Sequence, residues 1–266
     1  MSDGDDVLAM LQTILMRPGQ PVPHRVGDGL RLLAKHRSEV LTRELGPRLG
    51  TTVLRGPFAG LVFGAGSTEG SYLPKVLGTY ESELHAVVSS AVDGGYAQVI
   101  DIGCAEGYYA VGLARLLSGI PVHAFDIDPA SRARCAAMAQ ANRVAERVTV
   151  RERFEPGSCP RDRRTLVVCD VEGAECEVLG PPGPWVQTDL LVEVHDVFAP
   201  GTGEKLTRSF ETTHAVRRIP SGARVLPDLP ELHDLDHLDQ LLAVWEWRLR
   251  DNYWLWMEAR GSSSVR

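Results

Sequence analysis

Short apolar runs alternate with helix-periodic segments through the middle of the chain. The periodicity predicts helices over residues 108–117 and 132–142. The apolar runs that predict strands lie at residues 97–102, 121–125, 147–151, 166–169 and 190–194. Two later segments, THAVRRI and NYWLWMEAR, predict further strands. Because strands that alternate with helices form parallel sheets covered on both faces, the pattern predicts a Rossmann-like, mostly parallel α/β sheet.

The first part of the chain predicts a separate helical extension over residues 1–70. VLAMLQTILM has helical spacing and ends near Pro18. Asp28 is predicted to cap a second helix that ends at Gly46 and Pro47. Its predicted apolar face consists of Leu30, Leu33, Val40 and Leu41. We expect this extension to cover a substrate pocket or to pair two subunits as a homodimer. The main domain is predicted over 71–260, with ESELHAVVSSAVDGG as its first long helix and 261–266 as a flexible tail.

Composition narrows the class of protein. The 266 residues carry a formal net charge of −7, which argues against nucleic acid as the main partner because phosphate binding needs a basic face. No apolar run reaches the roughly 20 residues of a membrane span, and MSDGDDVLAM is acidic where a signal peptide is basic. Five cysteines without CxxC spacing indicate reduced thiols. We therefore expect a cytoplasmic protein without a membrane partner.

The segment VIDIGCAEGYYA, residues 99–110, places glycines and acids together after a predicted strand. Gly103 and Gly107 belong to the turn at the ligand-binding edge of such a sheet. A turn that binds pyrophosphate should keep anions away, whereas this one contains Asp101 and Glu106, and its spacing departs from GxGxxG. A cofactor with a cationic amine or sulfonium and no phosphate fits better. The turn therefore predicts S-adenosylmethionine.

The second predicted strand ends in AFDIDP. Its Asp126 can accept hydrogen bonds from both hydroxyls of a ribose. Dinucleotide-binding folds carry an acid at the same place, so Asp126 by itself leaves two cofactor classes open. A nicotinamide-dependent oxidoreductase is one alternative to a methyltransferase, and a module that binds the cofactor without chemistry is another.

Three further polar residues follow the fourth and fifth strands. Asp170 comes directly after one strand, and Glu193 and His195 lie two residues apart at the end of the other. Two carboxylates and an imidazole can bind Mg²⁺, Mn²⁺ or iron with open positions. The alternative is that the acids cap loops while His195 acts alone as a base. Either way, we expect His195 and Asp170 to be the catalytic residues.

These motifs resemble those of class I S-adenosylmethionine-dependent methyltransferases, and among them the FkbM-like family. The resemblance rests on VIDIGCAEGYYA, AFDIDP, CDVEGAECEVL and LLVEVHD, preceded by GTYESEL, and it covers residues 78–200. It implies seven strands, the last antiparallel, with the methyl donor over the first two. Tyr80 and Glu81 of GTYESEL are then expected to cover its methionine end. The first fifty residues have no counterpart.

The predicted function is O-methyl transfer from S-adenosylmethionine to a hydroxyl of a small molecule, such as a sugar or a secondary metabolite in natural product biosynthesis. A neutral hydroxyl is a poor nucleophile, so it needs a base or a metal ion that lowers its pKa. Asp170, Glu193 and His195 are the residues to which we assign that activation.

Overall fold

The described part of the chain folds around one seven-stranded sheet. A computed structural model describes residues 3–64, 71–155, 163–248 and 252–261. The strands are β1 (Gln98–Ile102), β2 (Val122–Phe125), β3 (Val148–Arg151), β4 (Thr165–Cys169), β5 (Thr188–Val194), β6 (His214–Pro220) and β7 (Tyr253–Ala259). Their order is β3-β2-β1-β4-β5-β7-β6, and within this sheet β7 runs antiparallel to both of its neighbours. The predicted Rossmann-like sheet with an antiparallel last strand is confirmed.

Of the described helices, four precede β1 and the others lie in connections between the strands. They are α1 (Asp3–Leu15), α2 (Val22–Leu49), α3 (Tyr72–Leu77), α4 (His85–Ser90), α5 (Tyr108–Leu116), α6 (Pro129–Ala141), α7 (Glu175–Leu179), α8 (Thr202–Phe210), α9 (Pro230–His233) and α10 (His237–Ala243). The buried strands carry apolar side chains on both faces, so one core forms on each side of the sheet: Val99 and Val168 belong to one, Ile100 and Val167 to the other. No described helix is long and apolar enough to cross a membrane.

The parallel strands end at one edge of the sheet. Ile102 of β1 is paired with Cys169 of β4, and Cys169 is paired in turn with Val192 of β5. Residues that follow these positions must therefore lie side by side, although they are far apart in the chain. This register brings the three predicted polar segments to a common edge.

The N-terminal extension differs from its prediction in detail. Helix α2 runs unbroken from Val22 to Leu49, so the predicted cap at Asp28 and the predicted end at Gly46 are both wrong. Asp28 instead binds Arg31 and the amide of Gln20. The helix continues past Pro47 because burial of Leu41, Leu45 and Leu49 in the core outweighs the local breakers. On the predicted apolar face Leu41 is buried as expected, whereas Leu30 and Leu33 are exposed. Homodimerisation stays a prediction.

The segment before β1 is not the single helix that its spacing predicts. Residues 82–93 form a 3₁₀ turn (Ser82–Leu84), helix α4 and a second 3₁₀ turn (Ala91–Asp93). Glu81, which directly precedes the first 3₁₀ turn, has a φ of 47°, in the left-handed region. At the end of α4 the Ser90 hydroxyl donates a hydrogen bond to the carbonyl of Val87. Such local side-chain bonds compete with helix continuation.

The C-terminal tryptophans and histidines also fall on separate elements. Trp254 and Trp256 lie on one face of β7 and are buried, whereas Trp245 and Trp247 precede the strand. His233 is exposed and bonds to Asp228. The described cysteines are free thiols, and Cys159 lies outside the described residues.

Candidate functional site

The turn after β1 needs its glycines for packing within the protein. Gly103 has φ of +85°, and a Cβ there would lie 1.7 Å from the carbonyl oxygen of Asp170. Gly107 has φ of +98°, and its Cβ would lie 2.8 Å from Cys135 Sγ on α6. A side chain at either position would therefore collide with the neighbouring strand end or helix. These contacts explain the two glycines without reference to a cofactor.

Four backbone donors of this turn are already used. The N–H groups of Gly103 and Cys104 both donate to Phe125 O of β2, at 2.8 and 2.9 Å, and that of Gly107 donates to Cys104 O at 2.7 Å. The N–H of Ala105 donates to Asp126 Oδ2 at 2.8 Å. An anion-binding loop works by pointing such groups at the ligand. This turn points them at the protein.

Asp101 lies at the N-terminus of α5, where a phosphate would otherwise bind. Its carboxylate accepts a hydrogen bond from the N–H of Ala110, in the first turn of the helix. The side chain is buried, and its Oδ2 has no hydrogen-bond partner within the described part of the chain. Burial and the nearby charge of Asp126 raise the pKa of Asp101 to about 7, although the Ala110 bond acts in the opposite direction. The site therefore lacks a donor at Oδ2.

Glu106 is neutralised by Lys75. The two charged atoms are 2.5 Å apart, and both side chains are buried. The ammonium group also lies 4.6 Å from the centroid of the Tyr80 ring and 5.8 Å from that of Tyr108. The expectation that Glu106 keeps phosphates away by its charge is thus weakened, and Asp101 alone carries the electrostatic argument. Sequence spacing gave no indication of this pairing across 31 residues.

Asp126 holds the turn and lies at the tip of β2 as predicted. Besides its bond to Ala105, it accepts the N–H of Asp128 through Oδ1 at 2.8 Å. The carboxylate is half-buried. Since an ionised carboxylate offers about four acceptor sites, acceptor capacity is left for ribose hydroxyls.

Tyr80 and Glu81 have different surroundings. Tyr80 lines a cleft together with Lys75, Asp101, Glu106, Tyr109 and Asp170. Glu81 is buried beside that cleft, where it accepts hydrogen bonds from the Tyr109 hydroxyl and from Arg248. Burial and the charge of Glu193 raise the pKa of Glu81 to about 8, which Arg248 counteracts. Tyr80 is therefore placed to contact a ligand in the cleft. Glu81 instead supports residues that line the cleft, such as Tyr109.

Asp170, Glu193 and His195 come together as the sequence predicted. His195 Nε2 lies 3.6 Å from Asp170 Oδ1 and 3.6 Å from Glu193 Oε2. One ligand atom from each residue lies within 4.8 Å of the others. Neighbouring oxygen ligands of a six-coordinate ion with bonds of about 2.1 Å are about 3 Å apart, so a small closure would suit Mg²⁺ or Mn²⁺.

Glu175 orients His195, and the sequence prediction missed it. Its Oε1 lies 2.6 Å from Nδ1 of the imidazole and also accepts the N–H of Gly173. Burial lowers the pKa of His195, but the Glu175 bond and the charge of Glu193 outweigh it, so the pKa is raised above 6.5. The second glutamate of the DVEGAE motif was the available signal. The first glutamate, Glu172, is exposed.

Arg248 is the second residue that the sequence prediction missed. Its guanidinium donates to Glu193 Oε1 at 2.8 Å, to Glu81 Oε1 at 2.6 Å and to Glu246 at 3.0 Å. Asp196, next to His195 in the chain, accepts hydrogen bonds from the Tyr253 hydroxyl at 2.8 Å and from the N–H of Gly203. Phe154 packs in the core against Phe125 and Trp185.

The strand order defines a Rossmann-like α/β fold, and its polar cleft lies at the ends of β1 and β4, next to the cluster of Asp170, Glu193 and His195. Solved structures similar in fold include a precorrin-6Y C5,15-methyltransferase from Geobacter metallireducens, with 12% identity and a TM-score of 0.41 over 65% of this chain and 88% of that one. An S-adenosylmethionine-dependent O-methyltransferase from Thermotoga maritima has 12% identity and a TM-score of 0.45 over 68% and 65%. A tRNA methyltransferase from B. subtilis has 12% identity and a TM-score of 0.41 over 65% of this chain and 64% of that one. No protein-family model and no curated protein matches the chain.

Proposed function

We propose that this protein is a class I, FkbM-like methyltransferase that transfers a methyl group from S-adenosylmethionine to a hydroxyl of a small molecule, with assistance from a divalent metal ion. The acceptor class is a sugar or a secondary metabolite. The proposal is built on two groups of residues, the turn that follows β1 and the Asp170, Glu193 and His195 cluster.

The observation that carries the cofactor assignment is the position of Asp101. A pyrophosphate would need the helix N-terminus that this carboxylate occupies, and the turn's backbone donors are already bonded. A ligand ammonium group would instead supply the donor that Asp101 Oδ2 lacks. These features disfavour the nicotinamide-dependent oxidoreductase that Asp126 alone left open.

The cleft also suits the rest of an amino-acid zwitterion. Lys75 is a buried cation in a cleft that otherwise contains Asp101, Glu106 and Asp170. A methionine carboxylate can share Lys75 with Glu106, while the ammonium group faces Asp101. Asp126 then lies on the β2 side, where a ribose would bind. The charges of the cleft thus match the carboxylate and ammonium groups of S-adenosylmethionine, and Asp126 matches its ribose.

The metal assignment rests on three acceptor atoms that converge. With a neutral imidazole whose Nδ1–H donates to Glu175, the lone pair of Nε2 faces the oxygens of Asp170 and Glu193. Such a set is stable only with a cation between its members, a proton or a metal ion. A carboxylate on the far nitrogen is the usual support of a metal-binding histidine. Mg²⁺, Mn²⁺ or iron bound there would lower the pKa of the acceptor hydroxyl.

Asp170 connects the two groups. It lines the same cleft as Asp101, and its backbone packs on Gly103. Methyl transfer is an in-line displacement, so the protein must hold the nucleophile opposite the departing sulfur. A hydroxyl activated at Asp170 would lie at the edge of the cofactor cleft, which is where that alignment needs it.

Calorimetry with two ligands tests the cofactor. The protein is titrated with S-adenosylhomocysteine and, separately, with NADH. We expect binding of the first and none of the second. Asp101→Asn keeps the shape of the side chain but removes its charge, so it should weaken S-adenosylhomocysteine binding. Binding of NADH without S-adenosylhomocysteine would overturn the proposal in favour of an oxidoreductase.

A further inference from the structure

A chain of contacts leads from the N-terminal extension to Glu193. Helix α2 packs on α10, where Arg37 binds both oxygens of Asp239 at 2.9 and 2.5 Å. On the same helix, the buried Ser38 accepts a hydrogen bond from the indole N–H of Trp247 at 3.2 Å. The Lys35 ammonium lies 5.0 Å from the centroid of that indole ring. Trp247 is therefore attached to the extension from two sides.

The backbone at Trp247 is held in an unfavourable conformation. Its φ is +61°, in the left-handed region that bulky residues rarely adopt. Such a conformation persists only where surrounding contacts impose it, and the contacts to Ser38 and Lys35 are placed to do so. The next residue is Arg248, whose direction depends on this turn of the chain.

Arg248 binds three carboxylates beside the candidate site. Its side chain is 17% exposed, while those of Glu81 and Glu246 are almost completely buried. It contacts Glu193 through Oε1, and the other oxygen, Oε2, is the one that faces His195. Fixing one oxygen of a carboxylate fixes the direction of the other. Arg248 is thus placed to aim Glu193 at the candidate metal position.

We propose that Arg248 is a positioning residue for Glu193 and that the N-terminal extension, through Trp247, keeps it in place. The proposal rests on the proposed function for its consequence, the binding of a metal ion, and it gives the extension a role besides those of a lid or a dimer interface. A neighbouring arginine supplies the matched control. Arg224 contacts Glu246 and Glu83 in the same network, at 2.5 Å in each case.

The test compares Arg248→Lys with Arg224→Lys. Lysine keeps the charge, but its single ammonium group cannot bridge several carboxylates as a guanidinium does. The affinity for Mn²⁺ alone is measured by electron paramagnetic resonance, and thermal unfolding is followed in parallel. We expect Arg248→Lys to weaken Mn²⁺ binding about tenfold or more, as outer-shell changes do. Arg224→Lys should retain the wild-type affinity. Equal losses in the two variants, or no loss in a folded Arg248→Lys protein, would overturn the proposal.

Trp247→Gly tests the part played by the extension. Glycine accepts a φ of +61° without strain, but it removes both contacts to α2. We expect the Mn²⁺ affinity to fall in the same direction as in Arg248→Lys. Wild-type affinity in this variant would show that the extension does not hold Arg248.

Crystal structures of the same variants separate this inference from the proposed function. Glu193 Oε2 should move away from His195 in Arg248→Lys and keep its place in Arg224→Lys. If the wild-type protein binds no Mn²⁺, the metal part of the proposed function fails, and the position of Glu193 in these structures decides the inference by itself. An unmoved Glu193 in Arg248→Lys would refute it.

Discussion

The turn after β1 and the cluster at the ends of β4 and β5 lie at the same edge of the sheet, yet they are built in opposite ways. In the turn, four backbone N–H groups are bonded within the protein, and one oxygen of the adjacent Asp101 carboxylate has no hydrogen-bond partner among the described residues. In the cluster, the imidazole of His195 lies 3.6 Å from each of two carboxylates. The first arrangement needs a donor, and the second needs a cation.

This difference means that substitutions should impair ligand binding in the two regions independently. Residues of the turn lie at the proposed cofactor position, whereas Glu175 and Arg248 contact the cluster from behind. A substitution in one region should therefore leave the ligand of the other largely unaffected, because sites without shared partners behave additively. Asp170 borders both regions, but its side chain lies outside the turn, so its removal should also leave cofactor binding largely intact.

The largest effect is expected from Asp170→Ala. Removal of a ligand oxygen should weaken Mn²⁺ binding by more than the roughly 10- to 100-fold that outer-shell changes cost. Binding of S-adenosylhomocysteine should persist, because the side chain of Asp170 is not part of the turn. Titration of both ligands by calorimetry measures this. Unchanged Mn²⁺ binding would favour His195 as a lone general base.

Asp126→Ala should show the converse pattern. It removes the acceptor for the ribose and for the N–H of Ala105. Loss of charge-assisted contacts worth about 2–3 kcal/mol predicts S-adenosylhomocysteine binding roughly thirty-fold weaker or more. Mn²⁺ affinity should stay at the wild-type value. A parallel fall in both affinities would mean that the variant has disturbed the sheet edge as a whole, and thermal unfolding of the variant checks this.

Glu175→Gln sharpens the contrast within the cluster. Glutamine can still bond His195 Nδ1 but carries no charge, so the imidazole becomes a weaker ligand. We expect about a tenfold loss of Mn²⁺ affinity and no change in S-adenosylhomocysteine binding. Glu177→Gln, on an exposed position of the same helix, is the control. Equal behaviour of the two variants would remove the role assigned to Glu175.

The smallest expected effect is a pH dependence of S-adenosylhomocysteine binding that arises from Asp101. The pKa of Asp101 is raised to about 7, so the free protein binds a proton there at lower pH. A ligand ammonium group favours the carboxylate, so binding releases that proton, and the affinity for S-adenosylhomocysteine should rise with pH up to about 7 and then level off. The slope is at most about tenfold per pH unit. Asp101→Asn should abolish it, and a slope that survives in this variant would assign the proton to another group.

Prediction from sequence succeeded where the signal was local or periodic. Alternating apolar runs gave the strands of the parallel sheet, because a buried strand must be apolar on both faces. The same rule placed Asp101, Asp126, Asp170 and His195 at one edge, since Asp101 lies near the end of such a strand and each of the others directly follows one. Prediction failed in α2, where burial of Leu41 and Leu45 overrides the helix breakers Gly46 and Pro47. The local sequence around Gly46 and Pro47 does not show that burial.

The sequence by itself determined the sheet, the turn with its acid, and the convergence of Asp170, Glu193 and His195. Only the tertiary structure decided how each charge is compensated: Glu106 by Lys75, His195 by Glu175, and Glu193 by Arg248. The reason is physical. Strand ends are fixed by hydrogen-bond register, which periodicity reveals, whereas ion pairs form between side chains that lie 20 to 55 residues apart and meet only when the helices and the C-terminal segment pack against the sheet.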